Sequence, residues 1–461
     1  MNDQSTIAAI TAELAALMGD RVSTSAHLRA QHGRGESWVP AQPPDVVVFP
    51  LTTEEVAATV KLCAKHHVPV VPFGAGTSLE GQVVAVKGGV CVDFSRMNRI
   101  IAVNPADLDC VIEPGVMRKQ LNAHLRDAGL FFPIDPGAEC TIGGMVATRA
   151  SGPNAVRYGT MRENVLGLTV VLADGSVIKT GGRSRKSAAG YDLTRLIIGS
   201  EGTLGLVTEI TLRLHGIPEA MAAATVGFDE IGPAVETVIA AIQSGIPVAR
   251  IELLDEVSID AVNRYSKLSL PVRPTLLLEF HGSEAGVKEQ AEALGAIAAD
   301  HGGSDFSWVE KAEDRAKMWE ARHKAYYAGL ALRPGSAGLV TDVCVPISAL
   351  ADCIVATKAD IAKAGLPAPL MGHVGDGNFH VCFVIDPNKP DELKLAEQMH
   401  DKMVERALAV GGTCTGEHGI GLGKREHLIH EAGDGAVAAM RAIKQTLDPH
   451  NLLNPGKIFV S

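Results

Sequence analysis

His373 and His380 bracket a Gly-Asp-Gly turn in MGHVGDGNFHVCF, and Glu417 and His418 sit side by side in GGTCTGEHGIGLGKREHL. Two imidazoles can converge on one ion across such a turn, and a carboxylate completes a three-ligand set. With coordination positions left open, that set suits a divalent metal acting as a Lewis acid, zinc and manganese alike. A lone histidine is usually structural, but four such residues in two short glycine-rich segments point to a site. Adjacent side chains in extended backbone point to opposite faces, whereas in a glycine turn they diverge less. Glu417 can therefore hold the ion while His418 faces a substrate, where an imidazole near neutral pKa is a natural base for a hydroxyl proton. A third candidate is Arg322 in MWEARHKAYYAG, on a helix expected over about 311–330 with Trp319 and Tyr326 on its face. It reads either as a surface helix charge or as a bidentate clamp for a carboxylate.

Such residues need elements to hold them and a cofactor to work with. VPVVPFGAGTSLEGQ (Val68 to Gln82) runs from an apolar strand into a glycine loop. Before it, Thr52 and Glu55 have capping-box spacing, Val56, Val60 and Cys63 share a helical face, and VVVF (Val46 to Phe49) reads as a buried strand. The loop therefore closes a strand–helix–strand unit, and its amides can gather around one anion, a phosphate. Gly74, Gly76 and Gly81 lack the spacing of a dinucleotide fingerprint, and no Gly-Lys-Ser/Thr follows. A second stretch, PGAECTIGGMVATRASGPNAVRYG (Pro136 to Gly159), carries Gly143, Gly144, Ala147, Ala150, Ser151 and Gly152, which admit a flat ligand or closely packed backbone. The hydroxyl of Thr141 can bind phosphate or a ring edge. Two such stretches favour one large cofactor gripped at several points.

The chain has 461 residues, enough for two or three domains, and a net charge of −11. No basic stretch interleaved with aromatics supports nucleic-acid binding, and no apolar run is long enough to span a bilayer. The start, MNDQSTIAAITAELAALMGD, has no basic n-region and reads as a capped surface helix, not a targeting peptide. None of the eight cysteines forms a C-x-x-C pair, which argues against an iron–sulfur cluster or zinc ribbon. Buried free thiols in a reducing cytoplasm are expected. Glycine crowds residues 74–205 and 371–423, whereas 222–365 alternates helix patterns with β-rich runs such as ARIELL and TLLLEF. That shift suggests an inserted domain. LADGSVIKTGG predicts a hairpin around Asp174-Gly175, and IIGSEGTLGLVTEITLRL reads strand, glycine turn, strand.

The chain resembles the FAD-linked oxidase family of the vanillyl-alcohol-oxidase type, and within it the branch of the D-lactate dehydrogenases (cytochrome) and glycolate oxidase FAD subunits. The resemblance covers nearly the whole chain. It rests on PFGAGTSLEGQ, PGAECTIGGMVAT, RYGTMRENVLGLTVVLADGSVI, GYDLTRLIIGSEGTLGLVTEITLRL, WEARHKAYYAGLALRPGSAGLVTDVCVPIS, GHVGDGNFH, GEHGIG and DPHNLLNPGK together. It implies an α+β fold: a two-lobed FAD-binding domain (PCMH type) over 1–221, an α/β cap on an antiparallel sheet over 222–410, and a segment, 411–461, returning to the FAD domain. By the same resemblance Pro72, Gly74, Ala75, Gly76, Thr77 and Ser78 wrap the FAD pyrophosphate, with Gly81 and Gln82 at the loop's end. Pro136, Thr141, Gly143, Gly144, Ala147, Ser151, Gly152 and Tyr158 line the dinucleotide. Glu201, Gly202 and Val207 lie toward the adenine, and Asn454 returns to the flavin. No histidine occurs between Pro72 and Gln82, so a covalent link there is excluded and noncovalent FAD is favoured.

The implied chemistry is oxidation of a D-2-hydroxy acid to the 2-keto acid. His373, His380 and Glu417 would hold the divalent metal, His418 would take the hydroxyl proton, and Arg322 would hold the carboxylate. Relatives that oxidise D-2-hydroxyglutarate carry a lysine, an asparagine and a threonine where this chain has Val340, Cys382 and Tyr326. An unpartnered second carboxylate would be costly there, so D-lactate or a somewhat larger D-2-hydroxy monocarboxylate is expected. D-2-hydroxyglutarate dehydrogenase and a glycolate oxidase subunit are the alternatives within the family, and an ether-lipid synthase type is the non-redox one. No c-type haem motif and no second dinucleotide motif occur, so electrons must leave to a cytochrome, a quinone or an electron-transfer flavoprotein. Docking at the inner membrane and a homodimer are both compatible with the sequence.

Overall fold

The computed structural model describes residues 3–309 and 311–460. Helix α1 (Gln4–Met18) is a surface helix that buries one stripe, Ile10, Leu14 and Met18. Its expected cap is absent, since Asp3 makes no side-chain bond to the helix amides. The stripe packs beside strand β1 (Val46–Val48) and helix α2 (Thr53–His66). Thr52 caps α2 by accepting from the Glu55 amide at 3.3 Å. The Glu55 carboxylate does not return to Thr52. It accepts from the Leu51 amide at 2.7 Å and pairs with Arg21. Strands β2 (Val70–Phe73) and β3 (Val90–Asp93) then run parallel with β1 in the order β1–β3–β2. This places Gly74 at the carboxyl end of a parallel sheet, where ligands of α/β units bind.

The second lobe contains helix α3 (Ile142–Thr148) and an antiparallel five-stranded sheet. Its strands β4 (Val165–Val171) and β5 (Val177–Gly181) form the Asp174-Gly175 hairpin, with Gly175 at φ +75°. The strand expected to open at Ile197 does not form, since Ile197 ends a short helix, Leu193–Ile197, which Asp192 caps by accepting from the Arg195 amide at 3.0 Å. A buried apolar run this short carries no period that separates the two. Strand β6 (Leu206–Arg213) follows and pairs with β4.

From Ala220 the chain builds an antiparallel sheet of eight strands that includes β7 (Val248–Leu254) and β8 (Thr275–Gly282). Alternation along these strands positions the site. Leu276, Leu278 and Phe280 enter the main cap core, whereas Leu277 enters a separate cluster with Trp319 and Met371. Both faces of β8 are covered, so TLLLEF reads as one apolar run. The helix expected over 311–330 is two helices, α4 (Ala312–His323) and a second, Ala325–Ala331, broken at Lys324. Strands β9 (Leu370–Gly372) and β10 (Asn378–Ile385) pair with Met371 opposite His380. On β10, Phe379, Val381, Phe383 and Ile385 face the core, so Asn378, His380 and Cys382 face the other way.

Helix α5 (Pro390–Ala409) closes the cap core with Ala396, Met403, Val404 and Ala407. After a bridge between Thr413 and Cys344, helix α6 (Arg425–Leu447) leads to Leu453, which bridges Val70 at the end of the first lobe. The fold is therefore α+β, as expected. All eight cysteines are free and seven are buried. Among the described residues no helix is long and apolar enough to cross a membrane.

Candidate active site

A cavity of about 280 Å³ runs between the lobes and the cap sheet. Pro72, Gly74, Ala75, Gly76, Thr77, Ser78 and Gln82 line one side. Pro136, Thr141, Gly143, Gly144 and Ala147 line a second, and Glu201, Gly202, Val207 and Asn454 a third. Arg322, His373, His380, Glu417 and His418 line the end beneath the cap sheet. A Cβ built on Gly74 would overlap the Thr141 hydroxyl, so the two glycine stretches touch here. Gly74→Ala should therefore lower flavin content of the purified protein. Adding Thr141→Ala should restore most of it, at about 1 kcal/mol for the lost cap on α3. Absorbance ratios of flavin to protein check both.

Four expected cofactor residues lie outside the cavity. Gly81 has φ +74° and packs against Val39 and Leu422. Gly152 has φ +150°, and a Cβ there would meet the Asp135 carbonyl carbon at 2.6 Å. Ser151 is buried beside it. The hydroxyl of Tyr158 lies 2.8 Å from His281 Nδ1, and its ring packs edge-on against Phe131. Tyr158 is thus a cap contact and not a cavity residue, and the small residues around it serve close packing.

The metal-type residues converge. Glu417 Oε1 lies 3.0 Å from His373 Nε2 and 3.4 Å from His380 Nε2. Each imidazole is oriented from behind: His373 Nδ1 is 2.6 Å from Glu252 Oε1, and His380 Nδ1 is 3.0 Å from the Thr341 carbonyl. With each Nδ1 turned to a partner behind it, both Nε2 atoms face Glu417, the arrangement of carboxylate–histidine–metal sites. Burial works against charge on these groups. Even so, Glu252 and Glu417 hold His373 well above the usual imidazole range, and His373 and His380 hold Glu417 well below the usual carboxylate range.

A second triad, Asp342, His380 and His418, is also close enough to share an ion. Asp342 is already saturated, however. It accepts from Asn378 Nδ2 at 2.8 Å, the Thr415 hydroxyl at 2.7 Å, and the amides of Glu417 and His418 at 2.9 Å. It organises the loop through the amides of Glu417 and His418. The His418 ring stacks on His380 at 5.0 Å, and burial lowers its pKa to about 4, so it is a neutral imidazole. Arg322 is no surface charge. It is buried and fixed by Glu252 Oε2 at 2.6 Å, while the other Glu252 oxygen holds His373.

The 416–424 loop is held by the first lobe. Gln82 Nε2 donates to the His418 carbonyl at 2.8 Å, and the Leu422 amide donates to the Glu80 carbonyl at 2.7 Å. The Glu201 carboxylate accepts from the Ile420 amide at 2.7 Å and the Gly421 amide at 2.9 Å. Asn454 Nδ2 joins the carbonyls of Gln82 and Glu201. Fully buried Lys424 pairs with Glu80 at 3.0 Å, and burial pushes Glu80 up to about 7. The Glu201 side chain thus holds the 416–424 loop directly, and the Asn454 side chain ties Gln82 to Glu201. Sequence reasoning missed Glu252, Asp342, Glu80 and Lys424. Glu252 within ARIELL was the one detectable signal, a charge inside a buried strand.

His323 also lines the cavity, its Nε2 without a hydrogen-bond partner. Burial, then the charges of Arg250 and Arg322, lower its pKa to about 3. An imidazole kept neutral in the fold costs nothing above pH 6.5, and stability falls as pH drops from there toward 3. At pH 5 the loss is about 2 kcal/mol, less what partial exposure screens. His323→Gln should remove it, read as a smaller shift of the urea midpoint between pH 7 and pH 5.

Residues 44–181 match the family described as FAD binding domain, and residues 217–458 match that described as FAD linked oxidases, C-terminal domain. The chain belongs to the FAD-linked oxidase family. This FAD-linked oxidase is 52% identical over 454 residues to the probable mitochondrial D-lactate dehydrogenase of Danio rerio, across 98% of this chain and 91% of that one. It is 47% identical over 452 residues to the mitochondrial D-lactate dehydrogenase (cytochrome) of Arabidopsis thaliana, across 98% and 80%. Its fold matches a crystal structure of p-cresol methylhydroxylase with a TM-score of 0.81 at 19% identity, across 100% of this chain and 98% of that one. The oxidase's own cavity fits FAD. The Ser78 hydroxyl is buried without a partner, and among the described residues no amide from Gly74 to Ser78 donates to a backbone carbonyl. Those donors suit a pyrophosphate.

Proposed function

We propose that this FAD-linked oxidase dehydrogenates D-lactate or a related D-2-hydroxy monocarboxylic acid to the 2-keto acid. Noncovalent FAD sits against Gly74–Ser78, and a divalent ion sits among His373, His380 and Glu417. The reading divides the chain into an FAD domain (1–221), a cap (222–410) and a returning segment (411–461). The observation that carries it is the convergence of the ligand triad, a neutral imidazole and a buried arginine at one end of the cavity.

FAD supplies the two-electron acceptor and the ion supplies the positive charge that acidifies the substrate hydroxyl. The protein does the rest. Arg322, held at one side by Glu252, offers its remaining N–H groups to the substrate carboxylate and so fixes which hydrogen of C2 points inward. His418 takes the hydroxyl proton as the C2 hydrogen leaves with its electron pair. Asp342, 4.0 Å from His418 Nδ1, stabilises the resulting imidazolium. Lys424 and Glu80 keep the loop in place during this charge change.

The substrate's tail meets Val340 and Cys382, which are paired across adjacent strands, together with Tyr326 and Met371. Among the described residues Arg322 is the only Lys or Arg lining the cavity. A second carboxylate would lie unpaired there at a cost of several kcal/mol. The reoxidant is an external carrier of the cytochrome class, in keeping with the name of the Arabidopsis relative.

Steady-state turnover with an artificial dye tests the substrate. The kcat/KM for D-lactate should exceed those for L-lactate and D-2-hydroxyglutarate by about 10²-fold or more. Comparable values for D-lactate and D-2-hydroxyglutarate would overturn the pocket reading.

A further inference from the structure

Away from the cavity, α5 and α6 bring three further ligand-type side chains together. His400 lies on α5 and is buried, 9% exposed, with its Nε2 lacking any hydrogen-bond partner. Asp401 follows it on the exposed side of the helix. His427 on α6 puts Nε2 3.2 Å from Asp401 Oδ1, and its ring centroid is 5.2 Å from that of His400. One ligand atom from each of the three lies within 4.8 Å of the others. None of the three belongs to the catalytic triad or touches the cavity.

We propose that His400, Asp401 and His427 form a second metal site, for a borderline divalent ion of the zinc, cobalt or nickel class. Two imidazoles and one carboxylate select such ions over magnesium or calcium, which take oxygen donors. The unpartnered His400 nitrogen is the decisive feature. A buried polar atom with no partner is costly, and an ion removes that cost. Burial, then the nearby Lys424 charge, keeps His400 neutral, the form that ligates. Half-exposed Asp401 gives the ion a path in and leaves coordination positions for water. The His430 ring, 6.5 Å from that of His427, lies on the same helix.

The site joins the cap to the returning segment just behind the catalytic loop. Lys424, which pairs with Glu80 and lies 3.6 Å from Asp342, immediately precedes α6. An ion here clamps α6 to α5 and steadies the end of that loop.

The test uses holoenzyme carrying FAD and its catalytic ion, equilibrated with Co²⁺ and then analysed for metal after dialysis. Wild type should retain one further equivalent, and Zn²⁺ should raise its Tm. His427→Ala and Asp401→Ala should each weaken binding of that equivalent by about tenfold or more and lose the Tm rise. Asp401 is exposed, so its variant folds even if that of His427 does not. Glu417→Gln should keep the added equivalent, which separates this site from the catalytic one. No further equivalent in wild type, or one bound equally by both α5–α6 variants, would overturn the proposal.

Discussion

His418→Ala lowers the rate of flavin reduction by D-lactate by about 10²–10⁴-fold, with flavin and metal content unchanged. In the proposed site the imidazole is not among the three ligands, since Asp342, the carboxylate 4.0 Å from its Nδ1, already accepts four hydrogen bonds. Losing the ring therefore removes a proton acceptor and leaves the ion in place. Apparent KM for D-lactate should move little, because Arg322 still holds the carboxylate. Added imidazole should recover part of the rate, which a merely structural role for the ring would not allow. A variant that keeps FAD and turns over normally would remove the proposed base.

Asp342→Ala should be the most damaging substitution to the architecture. Its carboxylate joins β10, through Asn378, to the amides of both Glu417 and His418, and it faces buried Lys424. Burial opposes its charge, yet the buried Lys424 ammonium and the hydrogen bond from the His418 amide hold it well below the usual carboxylate range. Removing it leaves the buried Lys424 ammonium with Glu80 as its one close counter-charge and leaves the donors of Asn378, Thr415, Glu417 and His418 unpaired, at about 3–5 kcal/mol. The urea midpoint should fall accordingly. Metal should be lost on dialysis, and turnover should drop by about 10²-fold or more as the loop shifts. Asp342→Asn should lose less stability, because one oxygen still accepts. Wild-type metal content and turnover in Asp342→Ala would show that the loop is held elsewhere.

The convergence of His373, His380 and Glu417 was legible in the sequence because glycine turns flank them and bring distant segments together. The glycine loop after β2 was legible for the same reason, as its β-rich lead and spacing exclude a helix start. Glu252 and Asp342 were not. Each is an acidic residue in a short apolar stretch, and its partners lie far along the chain. Only the pairing of β7 with β9 and of β10 with the strands before it brings those partners in. Tyr158 failed in the opposite direction. It ends a stretch whose earlier small residues, Gly143, Gly144 and Ala147, line the cavity, but its own ring turns toward His281 and Phe131. The break at Lys324 in the helix expected over 311–330 was not legible, because the apolar spacing continues across a turn that carries no proline or glycine to mark it.

The most direct test of the account is anaerobic reduction of the bound flavin, followed at its absorbance band before and after chelation. D-lactate should bleach the flavin rapidly while L-lactate and D-2-hydroxyglutarate do not. The bleaching should disappear on chelation and return with added Zn²⁺ or Mn²⁺. Undiminished bleaching by D-lactate in chelated, metal-free enzyme would contradict the role assigned to His373, His380 and Glu417.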